Sequence, residues 1–179
     1  ISGRYDAYIR AFARGLATFP HTVFLRVMHE MNGNWYPWCG SVNGNSPEAF
    51  IAAWKHIRQL VNTEAASRIQ WVWSPYASSY PMTPSNKLED YFPGDEFIDW
   101  VAIDGYNWGC AREWSVWQSF EEIFSEAYKT LSALSQRPIM IGELASTEKG
   151  GNKALWITEA IHALEKKFPR IKAVIWFDV

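Results

Sequence analysis

Thr22-Val-Phe-Leu-Arg-Val-Met-His-Glu30 sets the architecture expected of this 179-residue chain. Thr22–Met28 is apolar or β-branched throughout except at Arg26, without the polar/apolar alternation of a strand with one wet face. A strand apolar on both sides is buried on both, as in parallel sheets covered by helices. Runs of the same kind recur at Ile69–Trp73, Phe97–Ile103, Pro138–Gly142 and Ile171–Phe177. The first four are expected to lead through turn residues into a helical pattern, and the fifth closes the chain.

Between the first two runs, Phe50, Ala53, Trp54, Ile57, Leu60 and Val61 share one helical face. Ser46 can cap that helix and Pro47 suits its first turn, which predicts a helix over Pro47–Thr63. Ser119–Leu134 and Asn152–Phe168 repeat the pattern, and Tyr5–Phe19 is a helix before the first strand. Pro75–Pro93 holds four prolines and is expected to be irregular. Strands alternating with helices predict an α/β fold with a parallel sheet. No strand leads into the G-x-G-x-x-G turn of a doubly wound nucleotide-binding fold, so a (β/α)8 barrel is favoured. Five strands fall short of the eight that close one.

Composition narrows the function. With 17 Lys+Arg against 19 Asp+Glu, the net charge of -2 offers no footprint for a polyanion, so nucleic acid is not expected as a partner. No apolar stretch approaches the roughly 20 residues of a membrane span, so a soluble chain is expected. The two cysteines, Cys39 and Cys110, lack zinc-site spacing and are expected to be unpaired thiols. Neither metal nor cofactor is expected. Aromatic residues make up 16% of the chain, with 11 tryptophans, more than a core of this size needs, so some should face a ligand.

The chemistry concentrates at Arg26-Val-Met-His-Glu-Met-Asn-Gly-Asn-Trp-Tyr-Pro-Trp38, where a buried strand gives way to charged, amide and aromatic groups. Barrel enzymes place their sites at such strand ends. Glu30 read as part of a simple helix start would explain neither its His29 neighbour nor the rings that follow. A zinc motif H-E-x-x-H is excluded because its second histidine position is Gly33. A second strand ends in Ile139-Met-Ile-Gly-Glu143. Barrel curvature would bring Glu30 and Glu143 to one rim, and two carboxyl groups flanking one site are what glycoside cleavage requires.

These motifs, with Trp71-Val-Trp-Ser-Pro75, Pro93-Gly-Asp95, Asp99-Trp-Val-Ala-Ile-Asp-Gly-Tyr106 and Ala173-Val-Ile-Trp-Phe177, resemble glycoside hydrolase family 26, known for β-mannanases. The resemblance covers essentially the whole chain. It implies the C-terminal portion of a single catalytic domain over 1–179, comprising strands 4 to 8 of a (β/α)8 barrel, with three strand and helix units expected upstream of Ile1. It further implies a retaining endo-β-glycanase, secreted or at the cell surface, with Glu30 as acid/base and Glu143 as nucleophile. The implied substrate is β-1,4-mannan, with mixed-linkage β-glucan or β-xylan as alternatives. A non-catalytic carbohydrate-binding protein or inactive barrel fragment is the reading from another class.

The resemblance also matches Tyr106 to a tyrosine that donates to the nucleophile, His29 to a histidine beside the acid/base, and Trp176 to the sugar platform. Trp35, Trp38 and Trp108, at strand ends, are further candidates for stacking on sugar C–H faces. Asp104, two residues before Tyr106, is expected to orient its neighbours, with Asn32 in a supporting role. Arg26 is expected as a supporting ion-pair partner, because in an ideal strand it faces away from His29. Trp71 and Trp73 are divided between packing and substrate contact, and the remaining aromatics are assigned to the core.

Overall fold

The computed structural model describes residues 2–178, with the side chain of Ala66 left out of the description. Its strands are β1 (Val23–Leu25), β2 (Ile69–Trp73), β3 (Trp100–Asn107), β4 (Ile139–Ser146) and β5 (Ile171–Trp176). They form one parallel sheet in the order β1-β2-β3-β4-β5. Sequential order means that every crossover steps the same way, so the sheet has none of the reversal of direction that marks a doubly wound fold. The result is a partial (β/α)8 barrel.

Helices α1 (Asp6–Thr18), α2 (Pro47–Ala65), α3 (Phe120–Leu134) and α4 (Lys153–Lys167) fall close to their expected positions. Their ends follow from local chemistry. Ser119 accepts from the Glu122 N–H while the Glu122 carboxylate accepts from the Ser119 N–H, a reciprocal cap that starts α3. The Asn152 side chain accepts from the Leu155 N–H and starts α4.

The main core lies between helices and sheet. Trp54 on α2 meets Trp71 edge to face at 5.9 Å, and Phe120 and Phe124 of α3 pack at 4.6 Å. Trp54 is fully buried; burying a ring of that size stabilises by about 5 kcal/mol at most. A smaller cluster of Val72, Ala102 and Met140 lies apart from this core, joined by Trp100 and Ala173. Along β2 and β3 these residues alternate with Trp71, Trp73, Val101 and Ile103 of the main core. They therefore line the inner, barrel-side face. Two buried faces account for strands that are apolar throughout. β1 and β5 are the edges of the sheet, and Phe24, Val174 and Ile175 on them are exposed.

Several expectations are corrected. Between β2 and β3 there is no α-helix; the chain makes only 3-10 turns at Leu88–Tyr91 and Asp95–Phe97, so Phe97 lies outside the strand. Four prolines in Pro75–Pro93 remove amide donors and explain why no longer helix forms there. β1 stops at Leu25 instead of reaching Met28. Trp71 and Trp73 are buried packing residues, and Trp114 is 73% exposed rather than part of the core. Cys39 and Cys110 are free thiols, the first buried and the second exposed. No helix among the described residues is long and apolar enough to cross a membrane.

Candidate active site

The C-terminal ends of the strands converge on a cluster of charge. Arg26, just beyond β1, donates from one guanidinium nitrogen to Asp104 Oδ2 at 2.7 Å and Glu143 Oε1 at 2.8 Å, and from another to the Gly142 carbonyl at 3.0 Å. One side chain thereby ties β1 to β3 and β4. Asp104 is fully buried and also accepts from Ser74 Oγ at 3.0 Å. Burial pushes its carboxyl well above the ordinary range, while Arg26 pulls the other way. Gly142 is required here: a Cβ would stand 2.5 Å from Asp104 Oδ1.

Arg26 reaches this cluster because the backbone leaves strand geometry after Leu25. Met28 and Glu30 both have positive φ, 48° and 55°, which is costly for residues with a Cβ. Glu30 is held there by its own N–H on the Ser74 carbonyl at 2.7 Å and by the Gly33 N–H on its carbonyl at 2.9 Å. Ideal alternation fails, and Arg26 and His29 approach the same carboxylate instead of opposite faces. His29 Nε2 lies 4.0 Å from Glu143 Oε1 and 3.2 Å from the Tyr36 hydroxyl. Burial first, then the Arg26 charge, lowers the His29 pKa, which favours neutral imidazole.

The two glutamates have unlike surroundings. Glu143 accepts from Arg26 and, on Oε2, from the Tyr106 hydroxyl. Glu30 is buried and accepts from the Trp35 indole N–H on Oε2 at 2.6 Å. Burial raises Glu30 to about 7, opposed by the Trp35 hydrogen bond and reinforced by the negative charge of Glu143. Tyr106 stays protonated, pushed up by burial and by its bond to Glu143. The arrangement shifts one carboxyl toward its neutral form and surrounds the other with donors.

The other expected residues are distributed around this centre. The Trp38 indole donates to the His29 carbonyl at 2.8 Å, and its ring stacks on Tyr36 at 4.5 Å. Trp108 lies 5.5 Å from Tyr106, with Arg112 over its ring at 5.6 Å. Trp176 is partly exposed, with the Lys153 ammonium 5.7 Å from its centroid. Asn32 is fully buried and acts as a clamp: its side chain donates to the Tyr76 carbonyl and accepts from the Tyr76 N–H, both at 2.9 Å. This joins the loop carrying Glu30 to the loop after β2.

Sequence reasoning left out Tyr36, Tyr76 and Phe177. Tyr76 lies 5.2 Å from Trp35 and 6.5 Å from Tyr106, and Phe177 meets Tyr106 at 5.9 Å. A signal was available for Tyr36 and Phe177, since both sit inside motifs already singled out. Tyr76 follows a strand whose tryptophans were divided between packing and substrate contact, and nothing in the sequence set it apart. Among the described residues no group of histidine, cysteine and carboxylate side chains could hold a metal ion.

Known proteins resemble this chain along almost its whole length. The model of glycosyl hydrolase family 26 matches residues 6–162. Endoglucanase H of Acetivibrio thermocellus is 38% identical over 98% of this chain, which spans 20% of that protein. Mannan endo-1,4-beta-mannosidase A and B of Caldalkalibacillus mannanilyticus is 27% identical over 88% of the chain and 28% of its own length. The crystal structure of the YdhT protein from Bacillus subtilis superposes with a TM-score of 0.73 at 25% identity, covering 98% of this chain and 48% of that one. The chain thus spans from a fifth to about half of the relatives it matches. Strand order, the carboxylate cluster and the family match lead to one conclusion: the chain belongs to glycosyl hydrolase family 26.

Proposed function

We propose that the protein is a retaining endo-β-glycanase in which Glu30 protonates the departing glycosidic oxygen and Glu143 attacks the anomeric carbon. One observation carries this reading: Glu143 is gripped by Arg26 and Tyr106, whereas Glu30 is buried and its pKa rises to about 7. In the first step the Glu30 proton passes to the glycosidic oxygen as its bond to carbon breaks. A Glu143 oxygen forms an ester to the same carbon. Esterification removes the negative charge that helps to raise Glu30, so Glu30 ionises more readily. It then accepts a proton from water as that water displaces Glu143 and restores the original anomeric configuration.

Neutral His29 and the indoles of Trp108 and Trp176 supply hydrogen bonds and stacking faces to the sugar. Arg26, Asp104 and Asn32 hold the frame. For the backbone, 38% identity to endoglucanase H favours a β-glucan, and 27% identity to a mannosidase keeps β-1,4-mannan second. A polymer of this kind does not cross a membrane, so the enzyme acts outside the cell or on its surface. The alternative of sugar binding without turnover draws on the exposed rings of Trp35 and Trp176, which could hold a sugar whether or not it is cleaved.

The test is the anomeric configuration of the first product, followed by proton NMR on β-glucan and β-mannan with the full-length protein. A β-anomer that later mutarotates is expected. An α-anomer would refute double displacement, and binding without new reducing ends would select the non-catalytic alternative.

A further inference from the structure

Trp35 stands apart from the other aromatics of the rim, because its polar edge is turned onto a carboxyl group. Its indole N–H meets Glu30 Oε2 at 2.6 Å, a close approach for a nitrogen donor. The ring is placed by its surroundings. Gly33, two residues earlier, leaves the space it occupies: a Cβ there would stand 2.5 Å from Trp35 Cζ2. Tyr76 meets the ring edge to face at 5.2 Å. The Glu30 backbone is itself locked in a left-handed conformation by the Ser74 and Gly33 hydrogen bonds. Side chain and backbone are therefore constrained independently.

An indole N–H donates and cannot accept. When Glu30 is neutral, Oε2 is engaged as an acceptor, and because the carbonyl oxygen accepts better than the hydroxyl oxygen, the carboxyl proton favours Oε1. We infer that Trp35 is a positioning residue for Glu30, clamping Oε2 so that the transferable proton is presented on Oε1 toward the glycosidic oxygen. This rests on reading Glu30 as the acid. The clamp also sets acid strength, since donation to the carboxylate favours ionisation and opposes burial. The other charged and titratable groups around Glu30 are Glu143 on β4, Arg26 after β1, Asp104 and Tyr106 on β3, Tyr76 after β2, and His29, Tyr36 and Cys39 in its own loop. None of these is bonded to Oε2. Trp35 remains 43% exposed, so one part of the ring is free to meet a sugar while its N–H is occupied.

Two variants of the full-length protein test the clamp: Trp35→Phe removes the donor and keeps an aromatic ring, and Gly33→Ala keeps the indole but displaces it. Glu30 ionisation is read directly by NMR of carboxyl-13C-glutamate-labelled protein, assigned with Glu30→Gln. Either variant should raise the Glu30 pKa by about one unit, since a hydrogen bond to a charged group is lost and water replaces it in part. In kinetics, kcat/KM on unactivated oligosaccharides should fall about tenfold further than on aryl glycosides, whose phenol leaves without protonation. A Glu30 pKa unmoved in both variants overturns the clamp, as does an equal loss on both substrates confined to KM, which would make Trp35 a sugar platform alone. The NMR readout needs no turnover: a shifted pKa in a protein that cleaves no glycan would uphold the clamp and defeat the glycanase reading.

Discussion

Arg26→Met should expose how far one guanidinium supports the site. Arg26 keeps 18% of its side chain accessible, Glu143 14% and Asp104 none, so the pair with Asp104 is nearly desolvated. Removing one partner of such a pair costs about 3–5 kcal/mol, because the other charge is stranded. Protonation sets a ceiling. Neutralising an aspartate of ordinary pKa near 3.9 at pH 7 costs roughly 4 kcal/mol at 1.36 kcal/mol per unit. Since burial already raises Asp104 in the native protein, the expected loss lies below that ceiling, about 3 kcal/mol at pH 7. The sign with pH follows. Without Arg26 the folded pKa of Asp104 rises further, and stability is lost as pH climbs from the unfolded value through the folded one. The deficit should shrink to about 1 kcal/mol at pH 5. Urea unfolding followed by tryptophan fluorescence at the two pH values measures it, with Asp104→Asn as the second arm of a cycle. Removing the stranded charge should restore much of the loss in Arg26→Met. A deficit independent of pH, or a double variant no more stable than Arg26→Met alone, would refute the reasoning.

Tyr106→Phe removes the hydroxyl donated to Glu143; loss of a bond to a charged group predicts a fall in kcat of roughly 10- to 100-fold, with folding preserved by circular dichroism. If Glu30 is the acid, as proposed, the pH–rate profile should lose activity as pH rises through about 7, because Glu30 would have to carry its proton into the first step. An alkaline limb near the ordinary carboxylate range would contradict that assignment.

Much of the fold could be read from local pattern. Phe50, Trp54 and Val61 lie on the buried face of α2, and Ser119 and Asn152 cap α3 and α4, because helix periodicity and capping depend on residues a few positions apart. The misreadings come from long-range effects. Trp114 is as hydrophobic as Trp54, yet one stands in solvent beside Trp108 and the other is fully buried in the core. Phe97 looked like strand and became part of a 3-10 turn, carrying Lys55 over its ring.

Within the site, the residue types were legible in Glu30, Glu143, His29 and Tyr106, but the strand ends were not: Glu30 lies five residues beyond β1, and Glu143 stands inside β4, which runs on to Ser146. The Tyr106–Glu143 bond, implied by the family resemblance, is present, but the partners of Arg26 and Glu30 were not legible. Alternation along an ideal strand turned Arg26 away from His29, and the positive φ at Met28, between them, breaks that alternation so that both approach Glu143. Register shifts at Ile103/Asp104 and beyond Ile141 set which side chains of β3, β4 and β5 meet. By itself the sequence determined the parallel α/β order and the two carboxyl groups, since periodicity and residue chemistry are local properties. Tertiary structure alone decided that Arg26 joins Tyr106 on Glu143, and that burial and a single indole govern Glu30. Those contacts join residues far apart in the chain, and burial depends on everything packed around a group.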